Sequence, residues 1–247
     1  MDYGSRLDKA RRKMSELGID ALFLTPGGDM EYLLGFPKGR VNPTHHHLKG
    51  DWLNGFFVTE NKVIYMVPEM LSRFLVPAAE ENSLITDIAV MDPVKPLDDQ
   101  AKQAVGSLQL EKKCVAIPKV ALAKTAVYFR RFFPDMEIRC TEEFTCEMRM
   151  IKDKDEIDAM RLAGETTDKL FSTIVPKLKA GVSEVEIESE LDLQMKLLGA
   201  SGNSFPSGAM LQGDGVEEGL GGGSTRKLAP GCSVAFDFGM VLDGYCS

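Results

Sequence analysis

Histidine is scarce in this chain: only three occur, and they are adjacent, His45, His46 and His47. Five cysteines (Cys114, Cys140, Cys146, Cys232, Cys246) form no C-x-x-C pair and leave an odd count. That argues against a disulfide framework or zinc ribbon and points to a reducing cytosol. No G-x-S-x-G elbow is present, and no cysteine has a recognisable histidine partner, so nucleophilic catalysis finds little support. The cysteines are expected as small buried hydrophobes. No apolar run approaches the roughly 20 residues of a membrane-spanning helix. The opening MDYGSRLDKARRKMSELG lacks the apolar region of a signal peptide. Basic residues are outnumbered 29 to 37 by acidic ones, and the net charge of −8 argues against affinity for nucleic acid or anionic membranes.

What is present fits a globular protein, with 44% apolar and 27% charged residues over 247 positions, enough for one large domain or two medium ones. Leu7, Ala10, Met14 and Leu17 recur at helical spacing, with Gly18 placed to end the helix. Residues 21–24 read as a short buried strand. Residues 55–59 and 62–67 read as a hairpin turning at Glu60-Asn61. Helical patterns follow at 69–81, 97–108 and 121–133, and strand patterns at 85–91 and 115–117. This alternation predicts an α/β layer domain. The character changes near residue 145, giving two expected domains, 1–145 and 146–247. Ile157, Met160, Gly164, Thr167, Phe171, Ile174 and Leu178 then predict a long amphipathic helix ended by Gly181. Ser183 and Glu186 form an S-x-x-E capping box before Ile187, Leu191, Met195 and Leu198.

Beyond residue 202 the chain is glycine-rich and ends in β-pattern. The stretch GDGVEEGLGGGSTRKLAPG admits neither nucleotide-loop motif, and Asp214, Glu217 and Glu218 would repel a phosphate, so it reads as a surface loop or a lid. The three histidines lie in KGRVNPTHHHLKGDW. This is either a polar loop or one that presents histidine, Arg40, Lys49 and Trp52 to a substrate; a self-contained metal site is the least favoured reading. In VAFDFGMVLDGYCS, alternation puts Val234, Phe236 and Phe238 on one face and Asp237 on the other. A carboxylate buried in such a run costs free energy unless compensated. Asp243-Gly244 signals a turn, so a residue just after Ser247 would lie across a hairpin from Asp237, to within a register step or two. Asp237 therefore either accepts hydrogen bonds at a strand end or forms half of a divalent-cation site.

Four segments resemble, in order, the pita-bread metallopeptidase family of prolidase, aminopeptidase P, methionine aminopeptidase and creatinase. RLDKARRKMSELGIDALFLTPGGDMEYLLGF resembles the start of the creatinase-type N-terminal domain. MRMIKDKDEIDAMRLAGETTDKLF, LKAGVSEVEIESELDLQMKLLGASGNSF and TRKLAPGCSVAFDFGMVLDGYCS resemble successive parts of the catalytic domain. The N-terminal extension favours the prolidase, aminopeptidase P and creatinase branch. The resemblance implies a creatinase-like α/β domain followed by an incomplete pita-bread α+β domain. It also implies two Mn²⁺, Co²⁺ or Zn²⁺ ions held by two aspartates, one histidine and two glutamates. Asp237 matches the first aspartate; the others are expected beyond Ser247, so the chain resembles a member cut midway through its catalytic domain. A histidine common in the family is replaced near Leu220 by EEGLGGGSTRKL. The implied activity is cleavage of an amide in proline-containing peptides by a cytoplasmic homodimer, with the chain inactive as it stands and the His45, His46 and His47 loop at a substrate site. A metal-free creatinase-type hydrolase and a non-catalytic binding protein are the alternatives.

Overall fold

The computed structural model describes residues 1–37, 48–213 and 225–247. The chain divides into two compact units, Met1–Ile151 and Lys152–Ser247.

The first unit is built on a six-stranded sheet. Its strands are β1 (Ala21–Leu24), β2 (Gly55–Val58), β3 (Val63–Pro68), β4 (Asp87–Met91), β5 (Cys114–Ile117) and β6 (Glu137–Cys140), in the order β4-β3-β2-β1-β5-β6. Only β2 runs antiparallel to its neighbours, and the remaining pairings are parallel. The helices are α1 (Tyr3–Leu17), α2 (Gly28–Leu34), α3 (Glu69–Glu81), α4 (Leu97–Ser107), α5 (Ala123–Phe132) and α6 (Glu142–Met150). Both faces of the sheet are covered, which is why β1, β2 and β3 are continuously apolar rather than alternating. Leu22, Leu24, Phe56, Val58 and Tyr65 pack with Leu7, Ala10, Met30, Leu33, Phe144 and Met148. On the other face Ala21, Phe23, Phe57 and Ile64 pack with Ala101, Val105 and Phe129.

The expected hairpin forms, with Val58 opposite Val63 and Thr59 N–H donating to the Lys62 carbonyl at 2.9 Å. Gly18 ends α1 at φ +67°, as its place in the pattern required. Gly55 has a different reason: a Cβ there would lie 2.4 Å from the Leu24 carbonyl oxygen. Among the helices and strands of this unit, α2, β6 and α6 have no counterpart in the sequence pattern.

In the second unit, α7 (Lys154–Ile174) begins with a capping box between Asp153 and Glu156. It stops seven residues before Gly181, because Pro176 turns the chain into a short 3₁₀ segment, Val175–Lys177. Its buried stripe is Ala163, Thr166, Leu170 and Ile174. The expected stripe was displaced by about one residue: Ile157, Met160 and Phe171 are exposed. Phe171 instead forms an aromatic cluster with Phe236 and Phe238, its ring centroid 5.7 Å and 6.4 Å from theirs. The capping box of Ser183 and Glu186 opens α8 (Glu184–Leu197), which buries Ile187, Leu191 and Met195 as predicted, whereas Leu198 is exposed. The Ser183 hydroxyl and amide donate to Glu186 and hold its carboxyl below the usual range.

The remaining strands are β7 (Gly202–Asn203), β8 (Gly208–Gln212), β9 (Ser233–Asp237), β10 (Met240–Leu242) and β11 (Tyr245–Cys246). β8 and β9 form one antiparallel pair, and β10 lies between β7 and β11 in another sheet. The outer edge of β8 is covered by α8. Glu184 accepts the Leu211 amide at 2.7 Å and Glu188 the Ala209 amide at 3.1 Å. Asp192 accepts from the Ser207 hydroxyl at 2.7 Å and the Asn203 amide at 2.6 Å. Three carboxylates four residues apart, on one stripe of the helix, thus take the place of a neighbouring strand.

Candidate functional site

Asp237 is the last residue of β9, opposite Gly208 of β8. As the alternation predicts, Val234, Phe236 and Phe238 pack onto the core of the second unit. Asp237 itself is exposed, so no desolvation cost attaches to its charge. Among the described residues its carboxylate has no hydrogen bond or ion pair.

Three residues further on, β10 and β11 form the expected hairpin. Leu242 faces Tyr245, and the two turn residues both have positive φ, Asp243 at 50° and Gly244 at 81°. That is the two-residue turn whose twist matches paired strands. The hairpin is tied to α7 at two points. The Tyr245 hydroxyl donates to the buried Glu156 at 3.0 Å, and the Thr167 and Ser247 hydroxyls bond at 2.7 Å. Ser247 N–H donates to the Met240 carbonyl at 3.0 Å, so the ladder reaches the last residue of the chain.

A second polar feature lies at the edge of β8, the strand paired with Asp237's. Glu184, fully buried, receives a two-point ion pair from Arg226, whose Nη2 is 2.6 Å and Nε 3.2 Å from the carboxylate oxygens. Because Glu184 also accepts the Leu211 amide, one carboxylate joins the chain on both sides of the 214–224 stretch. Sequence reasoning missed this arrangement, because a glutamate at the first turn of a helix ordinarily signals only a favourable dipole interaction.

His45, His46 and His47 lie outside the described residues, as does the Leu220 position. Of the other loop residues offered to a substrate, Trp52 is buried in the first unit against Tyr128, Phe129 and Phe132, and Lys49 donates to the Pro93 carbonyl. Trp52 is therefore a core residue. The cysteines depart from expectation too: all five are free thiols, but only Cys114 is buried, while Cys146 and Cys246 are exposed.

The chain belongs to the creatinase/prolidase branch of the pita-bread metallopeptidases. Residues 6–151 match the creatinase/prolidase N-terminal domain, and residues 158–247 match metallopeptidase family M24. Among individual proteins, the chain is 26% identical over 246 residues to the Bacillus subtilis protein named "Putative dipeptidase YkvY", covering 98% of this chain and 64% of that one. A prolidase structure from Thermococcus sibiricus superposes with a TM-score of 0.80 at 22% identity, over 100% of this chain and 64% of that one. An Xaa-Pro dipeptidase structure from Bacillus anthracis gives 0.74 at 20% identity, over 100% and 63%. The two structures establish likeness of fold. The chain spans just under two thirds of the length of each of these relatives.

Membership of the M24 family implies dependence on a divalent cation. Asp237 has the chemistry for one donor: a hard carboxylate oxygen, exposed, with no competing partner among the described residues. Among those residues no three His, Cys, Asp or Glu side chains gather closely enough to hold an ion. No described helix is long and apolar enough to cross a membrane.

Proposed function

We propose that the protein is a metal-dependent peptidase of the Xaa-Pro dipeptidase or aminopeptidase type, cleaving an amide in small proline-containing peptides. The observation that carries the reading is Asp237: an exposed carboxylate at a strand end, unpaired among the described residues and followed at once by a hairpin tied to α7. A bound Mn²⁺, Co²⁺ or Zn²⁺ would supply Lewis-acid polarisation of the scissile carbonyl. Asp237 would contribute one oxygen donor, and β8, held by the carboxylates of α8, would keep the strand bearing it in register. The loop with His45, His46 and His47 would contact substrate, and a cytoplasmic homodimer is the assembly in keeping with the family. Support comes from the two family matches and from relatives named as dipeptidase and prolidase. Asp237 is the one donor this reading draws from the described residues, and we expect the 247-residue chain by itself to be inactive.

The test is a titration of the natural full-length protein with Mn²⁺ in the presence of Xaa-Pro dipeptides, alongside Asp237→Ala. Metal-dependent turnover in the parent and none in the variant is expected. No turnover with any dipeptide at any metal concentration would sink the peptidase reading. A non-catalytic binding role is the second reading, favoured by the confinement of histidine to positions 45–47; tight binding of two equivalents of Mn²⁺ would count against it.

A further inference from the structure

Three buried polar side-chain atoms have no hydrogen-bond partner among the described residues: Thr25 Oγ1, Asn54 Oδ1 and Ser204 Oγ. The first two belong to the first unit, near the junction of β1 and β2. Ser204 belongs to the second unit and lies beside the strand that ends in Asp237.

Its position follows from a break in strand pairing. Residues 202–212 and 233–242 run antiparallel, paired at Asn203–Met240 and again at Gly208–Asp237. Between those rungs, four residues on one side (204–207) face two on the other, Phe238 and Gly239. Such an excess of residues bends a ladder and re-aims side chains, and it is over-represented next to active sites. Within the break, Ser204 N–H donates to the Gly239 carbonyl at 3.0 Å. A Cβ on Gly239 would lie 2.4 Å from Ser204 Oγ and 2.7 Å from the Ser247 carbonyl oxygen. Only glycine at 239 leaves room for the Ser204 hydroxyl there.

The nearby polar side chains of Ser201, Asn203, Ser207 and Ser247 are engaged. The Asn203 amide and the Ser207 hydroxyl donate to Asp192, and the Ser201 hydroxyl donates to the Val241 carbonyl. The Ser247 hydroxyl bonds to Thr167 and the Met240 amide. Of these side chains only Ser204 has a hydroxyl without a partner among the described residues, and it sits where Asp237's strand end and the end of the hairpin converge. A buried hydroxyl left unmatched lowers stability, and alanine would fill nearly the same space without that penalty.

We propose that Ser204 is a positioning residue of the cation site that starts at Asp237, its hydroxyl donating to an oxygen ligand of the bound cation. The proposal rests on the metallopeptidase reading above. It assigns to Ser204 the part that supporting hydrogen-bond donors play around metal ligands, where their loss typically costs about 10- to 100-fold in metal affinity.

The test uses the natural full-length protein as wild type, Ser204→Ala and Asp237→Ala. Mn²⁺ affinity is measured by titration calorimetry, and the melting temperature is measured with and without Mn²⁺. Without metal, Ser204→Ala should melt about 2–4 °C above wild type, because the unmatched hydroxyl is gone. In saturating Mn²⁺ that advantage should vanish, and the Mn²⁺ affinity of the variant should fall about tenfold. Asp237→Ala should lose tight binding. A serine with a purely structural role lowers the metal-free melting temperature and leaves affinity unchanged. Either result in Ser204→Ala overturns the proposal while the metallopeptidase reading stands. A wild-type protein that binds no Mn²⁺ overturns both.

Discussion

Replacing Glu184 is the most demanding test of how the second unit holds together. Its carboxylate is fully buried and has at least three bonds, two from Arg226 and one from the Leu211 amide. In Glu184→Gln the side chain keeps its length and can still accept from Leu211. What is lost is the charge opposite an arginine whose side chain is only 11% exposed. Removing one partner of a buried pair costs up to about 3–5 kcal/mol, and less where the remaining partner keeps other contacts. Glu184→Ala also strips the Leu211 amide of its acceptor, a further penalty of about 1–3 kcal/mol that will not add in full. Replacing both Glu184 and Arg226 with methionine should cost less than either single change, since neither charge then has to be held out of water. Urea denaturation followed by circular dichroism gives the global change. Hydrogen exchange at the Leu211 amide gives the local one, and a loss of about 3 kcal/mol corresponds to a roughly hundredfold faster exchange. Glu184→Gln within about 1 kcal/mol of wild type, with Leu211 exchange unchanged, would refute the claim that this carboxylate joins α8, β8 and the 226 segment.

Two other perturbations address the first unit. Burial pushes the Tyr65 hydroxyl well above its ordinary value of 10, and the ring stacks on Phe56 at 4.2 Å. Its folded pKa exceeds its unfolded one, so the unfolded chain loses the proton first. The stability contributed is complete below about pH 10 and declines as pH rises further, by up to about 1.4 kcal/mol per unit. Tyr65→Phe should remove that alkaline decline in pH-dependent denaturation curves, and an unaltered slope would refute the assignment. Gly55→Ala places a Cβ 2.4 Å from the Leu24 carbonyl within the central β1–β2 pairing. We expect a loss of about 3 kcal/mol, seen as a lower urea midpoint at unchanged m-value; a variant as stable as wild type would show that the two strands can move apart freely.

How much of this could be read from the residues depended on whether the relevant interaction leaves a pattern in the chain. The α8 core face was legible because Ile187, Leu191 and Met195 repeat every four residues and a capping box marks the start. The hairpin at Asp243-Gly244 was legible because few residue pairs tolerate two positive φ values in succession. The side of β9 on which Asp237 stands followed from simple alternation. In α7 the stripe was displaced because Ala163 and Thr166 face the core while larger Ile157 and Met160 do not, so residue size misled. α2 starts inside Pro26-Gly27-Gly28, which reads as loop, and β6 is a partly exposed edge strand with charged residues at 137 and 139. The roles of Glu184, Glu188 and Asp192 were not legible, because their partners include backbone amides of a strand, and no residue type marks an amide that will need an acceptor. Ser204 was hidden for the same reason: a missing partner has no signature in sequence.

The stripe of carboxylates along α8 also acts as a vernier between two unlike rulers. Four residues of helix advance about 6.0 Å, whereas two residues of strand advance about 6.6–6.8 Å. Glu184, Glu188 and Asp192 step down the helix as Leu211 and Ala209 step down β8 and Ser207 precedes it. Each step therefore slips by about 0.7 Å, and across the two steps the flexible side chains must absorb about 1.4 Å. At one end of the scale a shorter aspartate meets a serine side chain rather than a backbone amide. A fourth rung would be out of phase by about 2 Å, beyond what a hydrogen bond of ordinary length tolerates. A helix can thus stand in for a strand only over a strand as short as β8. Lengthening β8 by two residues would leave its new amides facing water, with no carboxylate in reach.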